Sequence, residues 1–185
     1  MEKKDLDWGN IGFSYMPTDK RYVANYKDGA WDEGGMTSDP NVVINECAGI
    51  LQYCQEIFEG LKAYTTEDGS IVTFRPDLNA ERMMDSARRL EMPPFPKERF
   101  LEAVDQVVKA NAAWVPPFGS GATLYLRPYM FATGPVIGVK PSQEYQFRLF
   151  GTPVGPYFKG GAKPLTLCVS DFDRAAPNGT GHVKA

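Results

Sequence analysis

The sequence has 185 residues, 43% of them hydrophobic, a formal net charge of −3, one histidine and three cysteines. That length and apolar content suffice for one large domain, or one small domain plus the start of a second. The acidic balance offers no basic face to nucleic acid, no apolar run approaches the ~20 residues of a membrane span, and the His and Cys counts exclude a His-rich metal site, a Cys-based zinc site and a disulfide framework.

The N-terminus, Met1-Glu-Lys-Lys-Asp-Leu-Asp, is charged with no apolar region behind it, so no signal peptide is expected and a cytoplasmic location is. Cys47, Cys54 and Cys168 are expected as buried thiols in a reducing compartment. Residues Arg21 to Gly34 alternate around Lys27-Asp28-Gly29, a hairpin signal. Between Glu46 and Leu61, the spacing of Ile50, Leu51, Cys54, Ile57, Phe58 and Leu61 predicts a helix with one buried face and Gly60 near its end. Lys62 to Pro76 is expected as a second hairpin, turning at Glu67-Asp-Gly-Ser70 and returning through Ile71 to Phe74. Asn79 can cap a helix that carries Met83, Ala87 and Leu90 inward.

A longer helix is expected from Pro96 to about Asn111, striped by Phe100, Leu101, Val104, Val107 and Val108. Strands are expected over Ala122 to Thr133, Glu144 to Pro153 and Pro164 to Ser170. The Gly- and Pro-dense stretch Gly155-Pro-Tyr-Phe-Lys-Gly-Gly161 marks a connector. The expected division is a small α+β domain over 1–151, an interdomain connector over 152–163, and the beginning of a larger domain over 164–185, too short to bury a core alone.

Several residues can carry chemistry, each with a plainer reading beside it. Arg82 falls in the first turn of the predicted helix, where free N–H groups and the dipole favour an anion and a guanidinium can grip phosphate. It can equally pair with Glu81 or Asp85 on a solvated face, a contact worth about 0 to 1 kcal/mol. Tyr125 and Arg127, two apart in a strand, share a face suited to a carboxylate; a structural strand arginine before Pro128 is the alternative. Tyr53 and Phe58, one predicted turn apart, suit either core packing or the aromatic wall of an aliphatic pocket. Lys184 is a surface residue by the base rate of lysine exposure. A lysine becomes a good nucleophile toward an aldehyde when burial or nearby charge destabilises its ammonium, or when it is already condensed as an imine. His182 has no visible acidic partner, and Gly179-Thr-Gly181 lacks the rest of a dinucleotide fingerprint.

Taken together and in order, Phe58-Glu-Gly60, Asn79-Ala-Glu-Arg82, Tyr125-Leu-Arg127, Pro153-Val-Gly-Pro-Tyr157 and Asn178-Gly-Thr-Gly-His-Val-Lys184 resemble the branched-chain amino acid aminotransferases. The resemblance spans essentially the whole chain and about the first half of such an enzyme. It implies the α+β fold-type IV architecture and pyridoxal 5'-phosphate as cofactor. Lys184 would hold that cofactor as a Schiff base and move a proton between the substrate Cα and C4′. The residue matching Arg82 holds the cofactor phosphate, that matching Tyr125 helps to position the α-carboxylate, and that matching Arg127 accepts the distal carboxylate of glutamate. Phe58, Tyr157 and Tyr53 would line the side-chain pocket. Val139, and by a looser match Tyr15, would reach the neighbouring subunit's site in a homodimer.

The implied reaction moves the amino group between leucine, isoleucine or valine and 2-oxoglutarate by a ping-pong cycle. D-amino acid aminotransferases and aminodeoxychorismate lyases share the fold, and Tyr125-Leu-Arg127 with Phe58-Glu-Gly60 favours the branched-chain group. From another class, a noncatalytic dimerisation or binding module is the alternative if the chain ends at Ala185. The family's downstream segments supply an acidic partner for the pyridine nitrogen and further phosphate contacts, so the 185 residues alone are expected to be inactive.

Overall fold

The computed structural model describes residues 2–156, 158, 163–172 and 175–185. In chain order it runs β1 (Arg21–Lys27), β2 (Ala30–Trp31), β3 (Gly35–Thr37), a short helix α1 (Gly49–Tyr53), β4 (Glu56–Phe58), β5 (Leu61–Thr65) and β6 (Ile71–Thr73). Two longer helices follow, α2 (Pro76–Arg89) and α3 (Lys97–Ala110), then the long strands β7 (Thr123–Ala132) and β8 (Tyr145–Val154). Among the described residues the strands form one antiparallel sheet in the order β2-β1-β8-β7-β5-β6, with β3 also on β1 and β4 also on β7.

The β7–β8 ladder is the spine, in register from Thr123↔Val154 to Ala132↔Tyr145. Side chains alternate across a strand, so Leu124, Leu126 and Met130 of β7 point with Phe147 and Leu149 of β8 into the core. There they meet Met83 and Ala87 of α2 and Phe100, Val104 and Val107 of α3. Phe95, between the helices, stacks on Phe147 with ring centroids 3.9 Å apart and planes within 8°. Burying each large apolar side chain of this kind contributes about 1.5–3 kcal/mol. The opposite face of β7 carries Tyr125, Arg127 and Tyr129, only partly covered. The first hairpin forms where the Asp-Gly pair predicts it: Asp28 and Gly29 both take positive φ, 53° and 83°, as a turn whose twist matches its strands requires.

Three sequence expectations need correction. The helix predicted over Glu46 to Leu61 is five residues long and ends at Cys54, which takes the left-handed conformation at φ 52°. Glu56–Phe58 then becomes a strand, because the same residues also satisfy a two-residue alternation and β7 offers an open edge to pair with. Tyr53 and Phe58 are therefore not neighbours on one helix. Asn79 is not a cap: Pro76 presets the first helical φ and α2 starts there, behind a left-handed Arg75, which moves Arg82 into the second turn. Pro164 to Ser170 forms no strand: it pairs with no neighbour among the described residues and leaves Leu165, Leu167 and Val169 exposed. The thiols also differ from expectation. Cys54 and Cys168 are exposed and Cys47 is half-buried.

Candidate active site

The site grows from an interruption in one strand. β4 and β5 pair with β7 in a single continuous register, Phe58↔Tyr129 and Leu61↔Leu126, which sets Glu59 opposite Pro128 and Gly60 opposite Arg127. Glu59 N–H donates to the Pro128 carbonyl at 2.7 Å, but proline has no N–H to return, so the ladder breaks at Glu59-Gly60. Alternation then assigns the side chains. Ile57, Glu59, Leu61 and Ala63 point into the core and are buried, while Phe58 stands on the open face beside Tyr125 and Arg127.

On the open face three predicted residues converge around one ring. The Arg127 guanidinium lies 4.8 Å from the centroid of Phe58 and the Lys184 Nζ lies 4.5 Å from the same centroid, both within cation–π range. Arg127 Nε donates to the Tyr125 hydroxyl at 3.2 Å. Gly60 makes room for this pair, because a Cβ at that position would collide with the Tyr125 hydroxyl. Phe13 tilts against the Tyr125 ring, centroids 6.2 Å apart. Burial pushes the Glu56 carboxyl above the usual glutamate range, against an opposing pull from Arg127.

The backbone of residue 184 is tied in on both sides. Its carbonyl accepts from Phe58 N–H at 3.2 Å along the outer edge of β4, and its N–H donates to the buried Ser86 hydroxyl of α2 at 3.0 Å. One helical turn before Ser86 stands Arg82, and residues four apart share a helix face. Arg82 donates from Nε and Nη2 to the two oxygens of Glu59, at 2.6 and 2.7 Å. The pairing raises the Arg82 pKa further, and the guanidinium stays charged at any working pH. Neither Glu81 nor Asp85 is its partner: Glu81 pairs with Lys97, and Asp85 with Arg88.

The remaining predicted residues lie elsewhere. Tyr53 donates its hydroxyl to the Ile137 carbonyl and, with the exposed Val139, lines a separate cavity of about 380 Å³ beside Cys54 and Arg89. Tyr15 packs edge-on against Phe150 at 5.8 Å and borders another cavity with Arg21, Tyr129 and Arg148. Tyr157 lies outside the described residues. Sequence reasoning singled out neither Glu59 nor Ser86. The only available signal was an acid in a run of inward-facing apolar residues, and reading it required knowing that the segment is a strand.

No protein-family model matches the chain. It is 56% identical over 181 residues to the branched-chain-amino-acid aminotransferase of Haemophilus influenzae, covering 98% of this chain and 53% of that protein. To the Helicobacter pylori protein of the same name it is 48% identical, over 98% of this chain and 54% of the other. The solved branched-chain amino acid aminotransferase of Escherichia coli superposes with a TM-score of 0.64 at 25% identity, over 87% of this chain and 49% of that one. The chain thus spans about half the length of the relatives it matches. In sequence and in its sheet-and-helix architecture the chain is thus similar to about half of a branched-chain-amino-acid aminotransferase, and its fold is that of fold type IV.

Proposed function

We propose that the protein to which this chain belongs is a pyridoxal phosphate-dependent transaminase, moving the amino group between L-leucine, L-isoleucine or L-valine and 2-oxoglutarate. The observation that carries this reading is the meeting of Lys184, Phe58, Arg127 and Tyr125 at the broken edge of β4, with Arg82 one turn of α2 away. The donor set suits the cofactor: an amine for its aldehyde, and a guanidinium on the adjoining helix flank for its phosphate. When bound, pyridoxal phosphate supplies the electron sink that makes the substrate Cα–H acidic.

This chain's residues then have distinct tasks. Lys184 would hold the cofactor through its amine, which when freed would move the proton at the substrate Cα. The Phe58 ring offers an apolar wall to a branched side chain, where each buried methylene contributes about 0.8 kcal/mol. Tyr125 orients the α-carboxylate. Arg127, on the same face, meets the second carboxylate of glutamate or 2-oxoglutarate, so one pocket takes both aliphatic and acidic side chains. The family resemblance adds Tyr53 and Tyr157 as further residues of the substrate pocket, and Val139 and Tyr15 as residues that would reach the site of the second subunit of a homodimer. A cytoplasmic location fits the reading; among the described residues no helix is long and apolar enough to cross a membrane.

The mechanism is ping-pong: the 2-oxo acid of the first substrate leaves before 2-oxoglutarate enters, and glutamate leaves last. Leucine alone, mixed with the intact holoprotein, should shift the cofactor absorbance and release one equivalent of 2-oxo acid per site, with 2-oxoglutarate restoring the spectrum. Turnover of D-alanine in place of L-leucine, or no release without 2-oxoglutarate, would reject the assignment.

A further inference from the structure

Glu59 is an anomaly in its row. It shares the inward face of the strand with Ile57, Leu61 and Ala63, and its side chain is 0% exposed. A carboxylate in such a place is costly unless it is paired and hydrogen-bonded. Here it is both: Oε1 accepts from Arg82 Nε at 2.6 Å, and Oε2 accepts from Arg82 Nη2 at 2.7 Å, Asn79 Nδ2 at 2.8 Å and Gly60 N–H at 3.2 Å.

The pairing is lopsided in burial, since the Arg82 side chain is 54% exposed. A guanidinium has five N–H donors in a planar fork. Glu59 takes one from Nε and one from Nη2, which fixes the plane and leaves the two on Nη1 and the second on Nη2, unpartnered among the described residues, as a fork at the far end. We propose that Glu59 is a positioning residue that locks the Arg82 guanidinium so that this outer fork meets the cofactor's phosphate. Asn79, one turn back on α2, braces the carboxylate, and Ser86, one turn forward, holds the backbone of Lys184. One helix face thereby sets the phosphate anchor and the amine anchor together. The inference rests on the reading that Arg82 holds the phosphate.

The test compares pyridoxal phosphate with pyridoxal, which lacks the phosphate, by absorbance titration of the intact apoprotein. In Glu59→Gln the side-chain amide turns a donor toward the Arg82 fork, and affinity for pyridoxal phosphate should fall about tenfold while that for pyridoxal holds, the size expected when a charge-assisted contact is misaligned. Arg82→Gln should abolish the preference for the phosphorylated form. An Arg82→Gln protein that keeps the preference removes the underlying reading and the inference with it. If Arg82→Gln loses the preference and Glu59→Gln keeps it, or weakens both ligands alike, the inference alone is overturned. Should Glu59→Gln not fold, the wild-type apoprotein decides by NMR of the Arg82 side chain. Added inorganic phosphate should move the Nη1 signals and leave Nε–H in place, and a moving Nε–H or an unmoved Nη1 overturns the proposal.

Discussion

Gly60 is where a missing atom matters most. Opposite Arg127 in the register, it is the one residue on the open face of this strand that lets the Tyr125 hydroxyl accept from Arg127 Nε. Gly60→Ala should push that hydroxyl aside and free the guanidinium. In steady-state assays of the intact protein the KM for 2-oxoglutarate is expected to rise about tenfold, the equivalent of one misaligned hydrogen bond to a charged group; an unchanged KM would show that the Tyr125–Arg127 contact does not serve the acidic substrate. At this scale the sequence picked out residues that the fold brings together, but not their geometry. Phe58, Tyr125, Arg127 and Lys184 stand together, but the ring that joins them was expected on a helix; of the partners of Arg82 and Lys184, Ser86 gave no local signal and Glu59 gave one that is legible only once its segment is known to be a strand.

The elements divide by how strongly their pattern excludes rivals. The hairpin at Asp28-Gly29, the helix α3 and the strands β7 and β8 were legible, because a turn pair needing positive φ, an unbroken 3.6-residue stripe and long branched and aromatic runs each admit one reading. The stretch from Glu46 to Leu61 admits two, and the edge of β7 decided between them. That decision has a cost at Glu56, where burial raises the carboxyl pKa more than Arg127 lowers it. The folded chain then holds this proton more tightly than the unfolded one, so stability falls as pH rises from the ordinary glutamate range through the raised value. Glu56→Gln should accordingly be more stable than wild type at neutral pH, with the gap closing on acidification. Urea midpoints of the two proteins, followed from neutral pH down into the ordinary glutamate range, would check this; a gap that stays constant or widens toward acid contradicts the burial of Glu56.

At the scale of the whole molecule, a sheet with helices on one face and a cationic, aromatic strip on the other leaves its chemistry at one border, where β4, α2 and residue 184 meet. Neither the sheet nor the helix supplies that border alone. β4 presents Phe58, α2 presents Arg82 and Ser86, and the two are joined across Glu59. The proposed function fits this division, since a transaminase would need a rigid wall for the substrate and a separate seat for the cofactor. The most direct measurement is reduction of the intact, cofactor-loaded protein with sodium borohydride, followed by peptide mapping. The account predicts the cofactor's mass fixed on Lys184, together with loss of both trapping and transamination in Lys184→Ala. The label on any other lysine, or an unmodified Lys184 in a loaded and active protein, would contradict it.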